Sequence, residues 1–276
     1  MGSTQGKKNF PYLHGFSEKE QNRLIRQAQF GEYIVFQDID FTRVKNLIEV
    51  GCGVGAQSEI LLRRFPNINI SAIDLNEHQL ASLEERIKKN KSQFSRFKAK
   101  KMDATQMSFS SKSFDGAFLC WILEHVPDPK KVLNEVKRVL KPGAPIVITE
   151  VMNSSFFLDP YSPHVWKFWM AFNDFQIDSK GDPFIGAKLG NLLSDLEFKD
   201  IRTEIKTWFY DKRQAAARKE CIEHWSDLLL SAAPQLIESK LITKSDLREV
   251  EKELKAVRNN PNAVFFDSFI QAQAIR

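Results

Sequence analysis

The chain has 276 residues, 42% of them apolar, and a formal charge of +5. That length and composition suit one α/β domain with a sizeable core and room for insertions. Cys52, Cys120 and Cys221 stand far apart with no C-x-x-C spacing, so neither a disulfide framework nor a zinc site is expected and no metal is called for; a reducing, cytoplasmic setting fits.

No run of about 18 apolar residues occurs, so no membrane span is expected, and the N-terminus lacks a signal-peptide core. Much of the positive charge lies between Arg86 and Lys101. Glu84 and Glu85 precede it, and cations at a helix C-terminus complement the helix dipole, so a solvated helix end explains this run better than a nucleic-acid surface.

Ser17-Glu18-Lys19-Glu20 has the form of a capping box, which opens an amphipathic helical arm reaching to about residue 37 within an N-terminal region 1–45. Next comes Asn46-Leu47-Ile48-Glu49-Val50, a short apolar strand with one acid, running into Gly51-Cys52-Gly53-Val54-Gly55. A charge in a strand covered on both faces needs a partner, and alternating glycines let a ligand approach bare backbone. Gly51, Gly53 and Ala56 also satisfy the loose dinucleotide fingerprint, so at this point two nucleotide-like cofactors remain open.

Ile68 to Asp74 predicts a second strand ending in an acid, about 20 residues past the loop, where ribose hydroxyls would bind. Asn76 and Gln79 then suggest a helix cap. Three further segments come in order: Lys101-Met102-Asp103-Ala104, Ser113 to Cys120, and Leu140 to Glu150 with Lys141-Pro142-Gly143. Asp128-Pro129 opens the helix that Pro142-Gly143 closes. The βα alternation predicts a Rossmann-like, doubly wound sheet.

Over residues 46–150 this ordered set resembles the class I S-adenosylmethionine-dependent methyltransferases, closest in its motifs to the group that includes ubiquinone and menaquinone biosynthesis enzymes. Pro142-Gly143-Ala144-Pro145 departs from that group's usual Lys-Pro-Gly-Gly run. The resemblance implies S-adenosylmethionine as cofactor and S-adenosylhomocysteine as product. It places Glu49, Gly51, Cys52, Gly53 and Gly55 at the methionine end, Asp74 with Leu75 at the ribose, and Asp103 with Ala104 at the adenine amino group. Cys120 would offer backbone to the methionine end. It also implies a seven-stranded sheet, mostly parallel, with an antiparallel last strand.

Two more strands are predicted over 201–210 and 263–274, separated by a mainly helical stretch, 212–260. Within a cap insertion, 151–190, Phe156, Phe157, Tyr161, Trp166, Phe168, Trp169, Phe172, Phe175 and Phe184 suggest an aromatic lid, part of which must form its own core. The second insertion, with Cys221, His224 and Trp225, completes the pocket or forms a homodimer surface.

Methyl transfer from a sulfonium needs alignment and exclusion of water more than a catalytic triad. His125, after the fourth strand, is the candidate to take a proton from the acceptor. Tyr12 is a second candidate, and Tyr12, His14 and Phe16 could roof the site. The expected acceptor is a small molecule with an apolar or aromatic part. A protein side chain or RNA as acceptor, or a regulatory subunit that binds the cofactor without catalysis, are the competing readings.

Overall fold

A computed structural model describes residues 13–15, 17–88, 93 and 95–276. Tyr12 and Phe16, two of the residues expected at the roof of the site, lie outside the described residues.

Helix α1 (Glu18–Val35) starts as the sequence suggests, with Ser17 Oγ accepting the Glu20 N–H. The Glu20 carboxylate is engaged with both Nε and Nη2 of Arg23, at 2.7 and 2.6 Å. The core then alternates: β1 (Asn46–Val50), α2 (Ala56–Arg64), β2 (Asn69–Asp74), α3 (Glu77–Lys88), β3 (Phe97–Lys101), β4 (Gly116–Cys120), α4 (Pro129–Val139) and β5 (Pro145–Val151). A three-residue strand β6 (Phe157–Asp159) and α5 (Pro163–Asp178) come next, then α6 (Leu189–Asp195), β7 (Lys199–Tyr210), α7 (Ala215–Glu238), α8 (Lys244–Asn259) and β8 (Val264–Ile275).

The strands run in the order β3-β2-β1-β4-β5-β8, with β7 on the far edge of β8. From β3 to β5 all pairings are parallel, and β8 is antiparallel to both β5 and β7. This is the expected seven-stranded sheet with one addition. β6 pairs with Val264–Phe266 of β8, beyond the part of β8 that pairs with β5, and so prolongs the same ladder.

Central strands are covered on both faces, and their residues divide by alternation. Leu47, Phe118, Val147 and Phe269 pack on one side with α1, α2, α3, α5, α7 and α8. Ile48, Leu119, Ile148 and Ile270 pack on the other with α4 and α6. Helices α5 to α8 all come after β5 in the chain, and the side carrying α1, α5 and α7 is where the loops after β1 and β4 open.

Local signals mostly explain the element ends. Asp128 caps α4 by accepting the Lys131 N–H at 2.9 Å, with Pro129 in the first turn. At α3, Asn76 accepts the Gln79 N–H, but Gln79 Oε1 is buried without a partner, so the reciprocal half of the expected capping box is missing. The basic run is largely engaged where it is described: Arg86 pairs with Glu59, Lys88 with Glu84 and Lys101 with Glu77, while Arg96 donates to the carbonyls of Leu62, Phe65 and Ile68 around the end of α2. No helix among the described residues is long and apolar enough to cross a membrane.

Candidate active site

One cavity of about 740 Å³ opens above the carboxyl ends of β1, β2 and β4 and extends under α1, α5 and α7. Its position obeys the rule for open α/β sheets, where ligands bind beyond the strand ends.

The first wall is built from tight turns. Gly51 has φ of +74°, and a Cβ there would lie 2.4 Å from Ile122 Cδ1, so the loop after β1 passes the loop after β4 at a distance only glycine permits. The N–H groups of Gly51 and Cys52 both donate to the Ile73 carbonyl, at 2.8 and 3.1 Å. Asp74 closes the arrangement. Its Oδ2 accepts the Gly53 N–H and its Oδ1 the Asn76 N–H, both at 2.8 Å, while burial pushes its carboxyl above the usual range.

Of the residues predicted for the cofactor, Gly51, Cys52, Gly53, Asp74, Leu75, Asp103, Ala104 and Cys120 all line this cavity. Leu75 is 62% exposed on the cavity wall, where a flat apolar ligand group would cover it. Asp103 is exposed, with Oδ1 accepting both the N–H and the hydroxyl of Thr105 at 2.7 Å, which leaves Oδ2 for a ligand. Burial drives the Cys120 thiol upward, so it behaves as a small wall residue.

Glu49 and Gly55 are placed differently. Neither lines the cavity. Glu49 lies behind the loop, fully covered, with Oε2 accepting the Ser58 hydroxyl at 2.6 Å and its carboxyl pushed up to about 8 by burial. Gly55 is the left-handed residue that turns the chain into α2 against Leu83.

The loop after β4 is held from below by Glu150, at the end of β5. Its Oε1 accepts the N–H groups of Ile122 and Leu123 at 2.9 and 2.7 Å, and its Oε2 that of Glu124 at 3.3 Å. Burial and the nearby Glu124 raise its carboxyl well above the usual range, against the pull of these donors. The turn Leu123–His125 therefore stands on a buried acid, and it sets His125 on the cavity wall, with Nε2 3.6 Å from Glu124 Oε1. Gln176 of α5 donates to Glu124 Oε2 at 2.8 Å, and Asp182 N–H to the Glu124 carbonyl at 2.8 Å. A Cβ on Gly181 would sit 2.5 Å from that carbonyl.

The second wall comes from the insertions. From α5, Trp169, Phe172, Phe175 and Gln176 face the cavity in a helical stripe; from α7, His224, Trp225 and Leu228 do so. Phe156 and Phe168 are core instead, and Phe157 and Tyr161 are exposed, so the predicted aromatic lid contributes only part of its residues. His14 does lie on the roof, with Nδ1 2.7 Å from Ser231 Oγ and its ring 5.5 Å from Phe172. Burial holds His14 well below the normal histidine range and His224 down at about 3, and nearby Arg23 adds to both shifts. Burial thus disfavours the protonated form of both imidazoles, and His125 is the third histidine on the cavity wall and the base candidate. His164 is away from the cavity, bonded to Glu253 at 2.8 Å.

Sequence reasoning missed Glu150, Gln176, Trp208 and Asp267. Glu150 carries the same signal as Glu49, an acid in an apolar strand; the others give none that can be read without the topology.

The parallel sheet, the glycine turn and the acid ending β2 define an open α/β protein with a nucleotide-type site. Residues 48–148 match the methyltransferase domain family, and in fold the chain is similar to the class I S-adenosylmethionine-dependent methyltransferases. It is 31% identical to phosphoethanolamine N-methyltransferase 2 of Caenorhabditis elegans over 110 residues, covering 40% of this chain and 24% of that protein. To O-methyltransferase rstn1 of Aspergillus nomiae it is 27% identical over 164 residues, covering 58% and 69%. In fold it is similar to phosphoethanolamine N-methyltransferase 2 of Haemonchus contortus in complex with S-adenosylmethionine, with a TM-score of 0.61 and 16% identity over 99% of this chain and 61% of that one.

Proposed function

We propose that this protein transfers a methyl group from S-adenosylmethionine to a small molecule with an apolar or aromatic part. The observation that carries this reading is the continuity of one cavity from Gly53 and Asp74 to Trp169, Trp208 and Trp225. Its volume falls within the roughly 300–1,000 Å³ of small-molecule sites. A wall of buried aromatic side chains suits a small apolar group better than a polymer. N- and O-methyltransferases among the relatives support methyl transfer and leave the accepting atom open.

The residues present fit the cofactor. Asp74 offers carboxylate oxygens to ribose hydroxyls, Leu75 a face for the adenine ring, and Asp103 Oδ2 an acceptor for its amino group. Gly51, Cys52 and Gly53 give bare backbone to the methionine end, with the Cys120 backbone opposite. Glu49 acts from behind the loop, and Gly55 by fixing the turn into α2.

When bound, the cofactor supplies an activated methyl group. The chain then has to align an acceptor, exclude water and, where the acceptor carries a proton, remove it. Trp169, Phe172 and Trp225 exclude water. His125, on a turn fixed by Glu150, takes the proton. Tyr12 is the second candidate for that role. An assay with labelled S-adenosylmethionine over a metabolite extract tests the reading: a labelled small molecule is expected, and label confined to protein or RNA, or no label with the cofactor bound, overturns it.

A further inference from the structure

Asp267 lies at the far end of the cavity from the glycine turn, on β8, and is only 5% exposed. Its one hydrogen bond to a side chain is from Ser155 Oγ to Oδ1, at 3.1 Å. That hydroxyl also lies 2.9 Å from the Met152 carbonyl and 3.0 Å from the Ser268 carbonyl, so its single proton is contested. The Ser268 backbone N–H is near the carboxyl too, but it donates to Ser155 Oγ at 2.8 Å. Among the described residues no lysine, arginine or histidine pairs with Asp267. A buried acid normally has a counter-charge. Two other buried acids are satisfied differently: Glu150, behind the cavity, by three backbone N–H groups, and Glu124, on its wall, by Gln176.

The surroundings of Asp267 are aromatic. In the β7–β8 register Trp208 is directly opposite it, so the two side chains share a face, with Phe265 and Phe269 two residues to either side on that face. Trp208 and Phe269 have ring centroids 4.7 Å apart, and Trp225 of α7 lies 5.5 Å from Phe265. Trp208, Trp225 and Phe269 line the cavity together with Asp267. One carboxyl without a cation, ringed by aromatic faces at the wall of a hollow, is complementary to an organic cation.

We propose that Asp267 is the specificity residue for a substrate bearing a protonated amine on an apolar or aromatic body, with the ammonium group seated between Asp267 and the Trp208, Trp225 and Phe269 rings. This rests on the methyl-transfer reading and narrows its substrate class. Burial holds the Asp267 carboxyl at about 8, which keeps an uncompensated charge out of the aromatic wall at neutral pH. An arriving ammonium supplies the missing counter-charge, and the carboxyl releases its proton to solvent.

Phenethylamine and 2-phenylethanol, which share an aromatic body and differ in the charged group, serve as probes in calorimetric titrations with and without S-adenosylhomocysteine. The amine is expected to bind at least about tenfold tighter than the alcohol, as a charge-assisted hydrogen bond implies. Asp267→Asn, which keeps the side-chain shape and an oxygen for Ser155, is expected to abolish that preference. Its affinity for S-adenosylhomocysteine should equal that of the unsubstituted protein, which shows that the variant is folded. Equal binding of amine and alcohol, absent binding of the amine, or a preference that survives in Asp267→Asn overturns the assignment. Failure of S-adenosylhomocysteine to bind the unsubstituted protein counts against the methyl-transfer reading instead.

Discussion

Glu150 Oε1 accepts the backbone N–H of Leu123 at 2.7 Å, joining the end of β5 to the turn that carries His125. The bond is buried, and with the Ile122 and Glu124 N–H groups it makes one side chain the support of a whole loop. Glu150→Ala strands three buried donors. Each unsatisfied buried group costs about 1–3 kcal/mol, so a loss of at least about 2 kcal/mol is expected in urea denaturation, with Glu150→Gln intermediate. A variant as stable as the unsubstituted protein would show that water replaces the carboxylate.

Asp74 has a ligand-facing role to test. Asp74→Ala is expected to weaken S-adenosylmethionine binding by at least about tenfold, the equivalent of one hydrogen bond to a charged group. Calorimetric titration reads this directly. Unchanged affinity in a folded variant removes Asp74 from the site.

For His125 the outcome divides binding from chemistry. His125→Gln is expected to lower turnover by about a hundredfold, the lower end of what a general base contributes, while S-adenosylhomocysteine affinity stays the same. Equal turnover means that the acceptor loses its proton unaided or to another group.

The buried acids also predict how stability depends on pH. Glu49 and Asp267 are raised to about 8, and Asp74 and Glu150 are raised as well. The native state therefore holds protons that the unfolded chain has released above pH ~4, and this stabilisation, complete below that value, is lost as pH rises towards 8. His14 and His224, lowered in the native state, act in the opposite sense, gaining stability as pH rises to about 6.5 and adding no slope above it. Between pH 7 and 8 the acids act alone among these groups, and the unliganded protein is expected to lose stability. Glu49→Gln should reduce that loss by roughly 1 kcal/mol, measured by denaturation at fixed temperature. Parallel pH profiles would place the Glu49 carboxyl back in the ordinary range.

The legible half of the site is local in the chain. Strand, turn and acid lie within a few residues of one another around Gly51, Asp74 and Asp103, and each leaves its own composition signal. Asp267 has none, because its meaning comes from Trp208 across the ladder and from Trp225 on a helix inserted between those two strands. The lid is readable only as a surplus of aromatics. Whether Phe168 or Phe172 faces the hollow depends on the angle at which α5 crosses the sheet, which helical periodicity does not contain. Glu49 shows the converse: the sequence marks the acid but not its depth behind the loop.

Because β8 pairs with β5 along one edge and β7 along the other, Glu150 and Asp267 belong to neighbouring strands of one ladder. The turn that carries His125 and the wall that carries Asp267 thus rest on adjoining strands, while α5 and α7, which close the cavity over, are additions between strands. Replacing those helices would reshape the part of the cavity they line and leave the part around Gly53 and Asp74 in register, so this architecture separates a wall that can vary from a wall built into the sheet.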